Sequence, residues 1–250
     1  MNEFKDKVVI ITGGSSGIGK ATALRFSKLG AKVVVVSRNK VEGEGVRDLI
    51  ITEGGSASFV KTDVTLEHEV RSMVEKTVER YGQIDIAINN AGVDEDPGPV
   101  AFQTEVAYNK IMDVNVKGIW LCMKYQLPEL QKSKGCVVNM SSMAGLVGFA
   151  GAPLYTASKH AVIGMTKSFA LEYAPLNVRI NAIAPGSVDA GMLHRVADNE
   201  EIKEMIKQMH PMKRLATVTE IAESIIYLCS AAAGFMTGNT LTVDGGYTAA

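Results

Sequence analysis

Cysteine is scarce in this sequence, and so is any imbalance of charge. Cys122, Cys136 and Cys229 lie far apart and match none of the pair spacings that zinc or thiol redox motifs use, so they read as small buried hydrophobes. The four histidines, His68, His160, His194 and His210, also lack ligand spacing. They read as surface residues, with His194 and His210 at a pocket rim, and no metal is expected. With 26 basic against 27 acidic residues the chain offers no field for a polyphosphate backbone, which argues against a nucleic-acid partner. No apolar run approaches the ~18 residues of a membrane span. The polar start, Met1 to Lys7, leads only into Val8 to Ile11 before glycines begin, so neither a membrane anchor nor a secretory signal is expected. A reducing cytoplasm is the expected compartment.

What is present describes an ordinary globule, 46% hydrophobic and 21% charged over 250 residues. The chain shows no composition break, linker or internal repeat, so residues 1–250 are expected to form one domain. Short β-branched runs alternate with helical stretches, the pattern of βαβ units and a parallel sheet. The expected strands are Lys7 to Thr12, Lys32 to Ser37, Ser58 to Lys61, Ile84 to Asn89, Cys136 to Ser141, Val178 to Ile183 and Thr240 to Val243. Runs such as Val33-Val34-Val35-Val36 are continuously apolar, as strands covered on both faces should be. Between Thr65 and Tyr81, Val70, Met73, Val74, Thr77 and Val78 share one helical face, and Thr65 is placed to cap the start. Asp189 to Lys213 has no clean period and reads either as a mobile flap or as a surface helix pair whose methionines fill core gaps.

The first strand runs into Thr12-Gly13-Gly14-Ser15-Ser16-Gly17-Ile18-Gly19 and then a helical stretch. Glycines at a strand-to-helix junction let the backbone turn tightly and approach a pyrophosphate, whose charge is met by free N–H groups at the helix start. Gly13, Ser15, Gly17, Ile18 and Gly19 are the expected contacts. The second strand ends in Ser37-Arg38 where a carboxylate would grip ribose hydroxyls and repel a 2′-phosphate. Arginine can hold that phosphate with two charge-assisted hydrogen bonds, so NADP fits better than NAD. Tyr155 and Lys159, four residues apart, stand one turn from each other on a helix. Ser142 follows the fifth strand, and Asn115 interrupts an otherwise apolar helix, where asparagine implies a specific bond or kink.

In these motifs, and across essentially its whole length, the chain resembles the short-chain dehydrogenase/reductase family, whose glycine motif is Thr-Gly-x-x-x-Gly-x-Gly. The resemblance implies a single Rossmann-like, doubly wound α/β domain with a seven-stranded parallel sheet, binding NAD or NADP, in a homo-oligomer with a tetramer favoured. It implies a catalytic tetrad of Asn115, Ser142, Tyr155 and Lys159. It places Asp63 and Val64 at the adenine, Asn90, Ala91 and Gly92 under the cofactor, Pro185 and Gly186 at the nicotinamide face, and the Val188 backbone at the carboxamide. Tyr155 and Lys159 would touch the cofactor as well. Ala190 stands where relatives usually carry a cofactor-binding threonine, and Val243 to Gly246 matches a stretch used for assembly and packing.

In that tetrad Tyr155 would give a proton to a developing alkoxide, or take one from an alcohol, while Ser142 holds the substrate oxygen. Lowering a phenol by ~3 units takes about 4 kcal/mol. An ammonium at ~4 Å supplies that order of energy at an effective dielectric of about 20, so Lys159 is sufficient in principle. Asn115 would hold a water linking Lys159 to solvent. Met143, Leu146, Phe149, Leu154, Met192 and Leu193 suggest an apolar pocket for a small hydrophobic alcohol or ketone, with Asp94-Glu95-Asp96 as a negative rim. The alternatives are an NAD-dependent alcohol dehydrogenase, a 3-oxoacyl thioester reductase, or a non-catalytic dinucleotide sensor. Against the thioester, Leu176 stands where an arginine for an acidic carrier protein is expected at the mouth; against the sensor stands the intact Tyr155/Lys159 pair.

Overall fold

The apolar runs assemble into one sheet. A computed structural model of the chain describes residues 3–94, 97–191, 193 and 199–249. The strands are β1 (Val8–Thr12), β2 (Lys32–Ser37), β3 (Ser56–Lys61), β4 (Ile86–Asn89), β5 (Cys136–Met140), β6 (Arg179–Pro185) and β7 (Thr240–Val243). Every pairing is parallel, and the order is β3-β2-β1-β4-β5-β6-β7. The chain reverses its direction of winding between β1 and β4, and that switch point opens a crevice beyond the strand ends. β2 and β7 have the expected bounds, and the other five strands differ from expectation by a residue or two at an end. At β4 the reason is visible: the Asp85 carboxylate, not a strand carbonyl, accepts the Val8 N–H at 2.9 Å, so the regular ladder starts at Ile86.

Alternate residues of each strand feed two cores, one on each face. Val9, Ile11, Val33 and Val35 point to one; Val8, Ile10, Val34 and Val36 point to the other. This is why the strands cannot alternate in polarity. Helices α1 (Gly17–Lys28) and α2 (Lys40–Thr52), with a later helix, cover the first face. Helices α3 (Glu67–Tyr81), α5 (Gly118–Ser133) and α6 (Pro153–Tyr173) cover the second. In α3 the expected face is the buried one, led by Val70, Met73, Val74 and Thr77. Thr65 does not cap it. The helix starts at Glu67, and the Thr65 hydroxyl and N–H both turn back to Asp63 Oδ1, at 2.8 and 2.9 Å. The short carboxylate two residues upstream outcompetes the helix end for them.

Helix α4 (Glu105–Met112) runs into α5 through a π-turn, Asp113–Lys117, which contains Asn115. The irregular segment after β6 carries α7 (Glu200–Met209), and α8 (Val218–Cys229) follows, closed at its start by a reciprocal Thr217–Glu220 capping box. Met205, Met209 and Met212 are exposed, so these methionines do not fill core gaps. Met192 and His194 lie outside the described residues, as do Glu95 and Asp96. Among the described residues no helix is long and apolar enough to cross a membrane.

A buried polar ladder fixes how β4, β5 and α6 meet. Asn89 Nδ2 donates to Asn139 Oδ1 at 3.0 Å, and Asn139 Nδ2 donates to Thr166 Oγ1 at 3.0 Å. All three residues are buried. Replacing the middle member leaves groups unpaired in a dry site, at about 1–3 kcal/mol each. Asn139→Leu is expected to lower unfolding free energy by roughly 2–4 kcal/mol in a urea titration; a loss well under 1 kcal/mol would show that the ladder does not hold the sheet to α6.

Candidate active site

The glycine turn lies at the switch point, and its backbone is shaped by close approach. Gly13 has φ +65°, and a Cβ there would fall 2.7 Å from Asn90 Nδ2; at Gly19 it would fall 2.2 Å from the Gly13 carbonyl oxygen. Only glycine fits such contacts. Asn90 holds the turn from behind, donating from Nδ2 to the carbonyls of Thr12 (3.0 Å) and Gly13 (3.2 Å). Thr12 Oγ1 accepts the N–H groups of Asn90 and Ala91, at 3.0 and 3.1 Å. Strand β1, its turn and the end of β4 are thereby one unit.

Beyond that unit opens a cleft of about 550 Å³. Of the residues expected to bind cofactor, it brings together Gly13, Ser15, Ser37, Arg38, Asp63, Val64, Ala91 and Gly92. Gly17, Ile18, Gly19, Asn90, Pro185, Gly186 and Val188 are not among its lining residues. Gly17 nevertheless faces the loop after β6, since a Cβ on it would stand 3.7 Å from Ala190 Cβ. In that loop Ser187 and Asp189 make the backbone bonds that bridge to Ala216, so the Val188 N–H takes no part in them. A glycine cradle, a helix N-terminus and an exposed guanidinium fit a nicotinamide dinucleotide.

The cleft also holds residues that sequence reasoning missed: Val36, Asn39, Glu42, Thr62, Val93 and Val114. Glu42 matters most. It sits in the first turn of α2, and its Oε2 accepts the Ser15 hydroxyl at 3.4 Å. Its signal was Asn39, an N-cap whose side chain accepts the Glu42 N–H and so sets where α2 begins. Arg38 is loosely held, 4.0 Å from Asp63 and 64% exposed along its side chain.

The four expected catalytic residues converge. Ser142 follows β5, and its Oγ accepts the Ala144 N–H at 3.2 Å. Tyr155 and Lys159 lie on the first turns of α6, which Pro153 opens. The Tyr155 and Ser142 hydroxyls share a hydrogen bond. Lys159 is buried; its Nζ donates to the Met140 carbonyl at 2.9 Å and stands 5.4 Å from the Tyr155 ring centroid. The side chain of Asn115 is committed elsewhere: Oδ1 accepts the Val93 N–H (2.8 Å), and Nδ2 donates to the Val93 carbonyl (2.8 Å) and to Ser158 Oγ (3.0 Å). The π-turn is the local adjustment that an asparagine in an apolar helix implied.

The electrostatics depart from expectation. Lys159 was expected to draw the Tyr155 phenol down, yet burial pushes the phenol up to about 12, a Ser142 hydrogen bond opposes this, and the Asp94 carboxylate adds to the rise. Burial also pushes Lys159 down to about 8. Both groups are desolvated together, and the ammonium donates to a carbonyl while standing over the Tyr155 ring.

Two further expectations need correction. His210 is buried, not on the surface: Nδ1 bonds the Ile206 carbonyl at 3.0 Å and Nε2 accepts the Ser187 N–H at 3.1 Å, so it supports the loop after β6. Leu176 lies just past the C-terminal end of α6. The 21-residue helix is about 30 Å long, so Leu176 cannot stand at a mouth above Tyr155. Met143 is buried and Leu146 exposed, while Phe149, Leu154 and Leu193 are half-buried.

Comparison with known proteins agrees with this geometry. A family model described as enoyl-(acyl carrier protein) reductase matches residues 13–248. The chain is 40% identical to an A-factor type gamma-butyrolactone 1′-reductase (1S-forming) of Streptomyces virginiae, over 97% of this chain and 96% of the relative. It is 37% identical to a 2,5-dichloro-2,5-cyclohexadiene-1,4-diol dehydrogenase of Sphingobium indicum, over the whole of both chains. A solved structure of ElxO with NADP bound superposes with a TM-score of 0.92 at 38% identity, covering 98% of this chain and 100% of that one. Sequence, sheet order and relatives agree: the chain belongs to the short-chain dehydrogenase/reductase family, NAD(P)-dependent oxidoreductases that act on CH–OH groups.

Proposed function

We propose that this protein transfers a hydride between NADP(H) and a secondary alcohol or ketone on an apolar, ring-bearing skeleton, with Tyr155 as the proton donor and acceptor. One observation carries the reading. Gly92 lines the dinucleotide cleft, and a Cβ on it would stand 3.3 Å from Asn115 Oδ1 and 3.5 Å from Lys159 Nζ. The cleft and the tetrad therefore share a wall, and a side chain at Gly92 would press on Asn115.

The dinucleotide, when bound, supplies or accepts the hydride. The remaining work falls to the chain. Reduction leaves negative charge on the substrate oxygen, which needs a proton donor and a fixed hydrogen-bond partner. Tyr155, protonated throughout neutral pH, donates, and Ser142, already bonded to it, holds the oxygen. Lys159 holds positive charge behind the ring. Asn115 positions Tyr155 through Ser158, whose Oγ bonds the Tyr155 carbonyl at 2.7 Å. The Asp94 carboxylate near the phenol disfavours an anionic substrate. Both relatives named above act on ring compounds by their descriptions, which supports a neutral cyclic substrate.

A panel of cyclic ketones and alcohols, followed at the absorbance of the reduced nicotinamide, tests the reading. Tyr155→Phe is expected to lower kcat/KM by roughly 10²–10⁴ while dinucleotide affinity stays within a few-fold. Wild-type protein that binds the dinucleotide yet turns over nothing, or a Tyr155→Phe variant of undiminished rate, would sink it.

For the cofactor, the exposed Arg38 is the cation placed to meet a 2′-phosphate, and Glu42 in the same cleft opposes one. A charge-assisted contact is worth about 1.5–3 kcal/mol, or roughly 10–100-fold. Arg38→Ala is expected to weaken NADP by that factor and NAD by much less, and Glu42→Gln to tighten NADP. Equal losses for both dinucleotides on Arg38→Ala would discredit the assignment.

Lys159 also has a stability signature. Its folded pKa of about 8 lies below its ordinary 10.5, so the unfolded chain binds the extra proton between those values. Stability contributed by this site therefore rises with pH across that window and is at its lowest below pH 8. Lys159→Met is expected to be inactive yet more stable than wild type in neutral buffer, with wild type recovering up to about 3 kcal/mol relative to it between pH 8 and 10.5. A difference between the two proteins that does not change over that range in denaturant titrations would contradict a buried, destabilising ammonium.

A further inference from the structure

At the opposite end of the sheet, where the strands begin, lies a second pocket of about 180 Å³. Cys136, the first residue of β5, and Cys229, the last of α8, both line it. They are 93 positions apart in sequence, yet the Cys136 thiol donates to the Cys229 carbonyl at 3.9 Å. The pocket's charged lining is Lys7, Lys134 and Arg179 against Glu3 and Asp85. Lys7 pairs with Asp85 at 2.9 Å, whereas Arg179 donates to the carbonyls of Leu228, Ser230 and Met236. Among the described residues no carboxylate neutralises Arg179. The excess of positive charge, led by the carbonyl-held Arg179, suits an anionic sulfur and a small neutral reagent.

We propose that Cys136 and Cys229 form a peroxide-reactive dithiol that closes to an intramolecular disulfide. The two roles follow from what surrounds each sulfur. The neighbouring Cys229 thiol, with Arg179, holds the Cys136 thiol below its ordinary range against burial and the Asp85 carboxylate, while burial pushes Cys229 up. Cys136 is therefore the attacking sulfur and Cys229 the resolving one. The Cys136 thiolate attacks one oxygen of hydrogen peroxide or a small alkyl hydroperoxide. The O–O bond breaks, and with a proton the departing half leaves as water or an alcohol, giving a sulfenic acid on Cys136. The Cys229 sulfur then attacks that sulfenic sulfur; its proton and the hydroxyl leave as water, and the S–S bond forms. Two electrons pass from the dithiol to the peroxide.

Cys122 serves as an internal control. It is buried in the other core, and burial pushes its thiol up to about 12. The test treats the full-length protein with a small excess of hydrogen peroxide, then denatures it and counts thiols with a maleimide. The thiols are expected to fall from three to one, with the mass lower by two hydrogens and a reducible peptide pair joining Cys136 to Cys229. In Cys229→Ser, Cys136 is expected to stop at the sulfenic acid and to be captured by dimedone. The idea is overturned if peroxide that oxidises free glutathione leaves all three thiols intact. It is equally overturned if Cys122 reacts as readily, or if Cys136 advances to sulfinic acid in the wild type without a cross-link. None of these readouts depends on oxidoreductase activity.

Discussion

The Asn115 side chain is the contact on which the rest of the site depends. Its amide meets both backbone groups of Val93, beyond the end of β4, and reaches Ser158 on α6. Three segments that never adjoin in sequence are thereby locked at hydrogen-bond tolerance. Gly92, next to Val93, is the wall shared by the dinucleotide cleft and the tetrad. A shift of the Val93 backbone would move that wall relative to Lys159. Catalytic geometry depends on placement within about half an ångström, and a clamp of buried, saturated bonds provides it. The π-turn between α4 and α5 is the conformational cost of pointing an asparagine into that position.

Burial of Lys159 shows a second side of the same constraint. An ammonium taken out of water with one carbonyl partner is a destabilising element. The fold tolerates it because the ladder from Asn89 through Asn139 to Thr166 fixes α6 against β5 independently. The helix that carries Tyr155 and Lys159 is thus anchored by polar groups that have no part in the reaction. Desolvation raises the phenol to about 12 and lowers the amine to about 8, driving apart two proton affinities that are nearly equal in water. Proximity in sequence cannot reveal this. A distance of one helical turn says the groups are neighbours, but not that the ammonium faces a carbonyl.

Much of the architecture was legible because its causes are local. Continuous runs such as Val33 to Val36 can only belong to strands covered on both faces, and short β-branched runs between helical stretches gave the others. The glycine turn was legible because Gly13 needs a left-handed backbone and Gly19 a carbonyl at close range. What escaped depends on contacts distant in sequence. His210 reads as a surface residue until Ser187 and Ile206 are brought to its two nitrogens. Glu42 reads as one more helix-face acid until α2 turns it toward Ser15. Thr65 looked like a cap because its residue type suits one, and Asp63 took its bonds instead. Cys136 and Cys229 match no spacing because their meeting is made by β5 and α8, not by a motif.

That last pair shows how a parallel sheet divides its chemistry. All strands point one way, so every strand end, with its turn and following helix start, gathers at one edge. Phosphate and nicotinamide chemistry belongs there because the glycines and free N–H groups are there. The opposite edge collects strand starts and helix ends, including the carbonyls of Leu228 and Ser230 that close α8 and hold Arg179. A guanidinium satisfied by carbonyls keeps its full charge, unlike one paired with a carboxylate, and so projects a field on whatever else lies at that edge. In this chain two sulfurs lie there. Strand β5 is short enough, Cys136 to Met140, that its first residue meets the dithiol partner while its last holds Lys159. The two edges are joined by one strand, yet the charge at each has a different origin, free N–H groups at one and a carbonyl-held guanidinium at the other. Each edge can therefore select its own reagent.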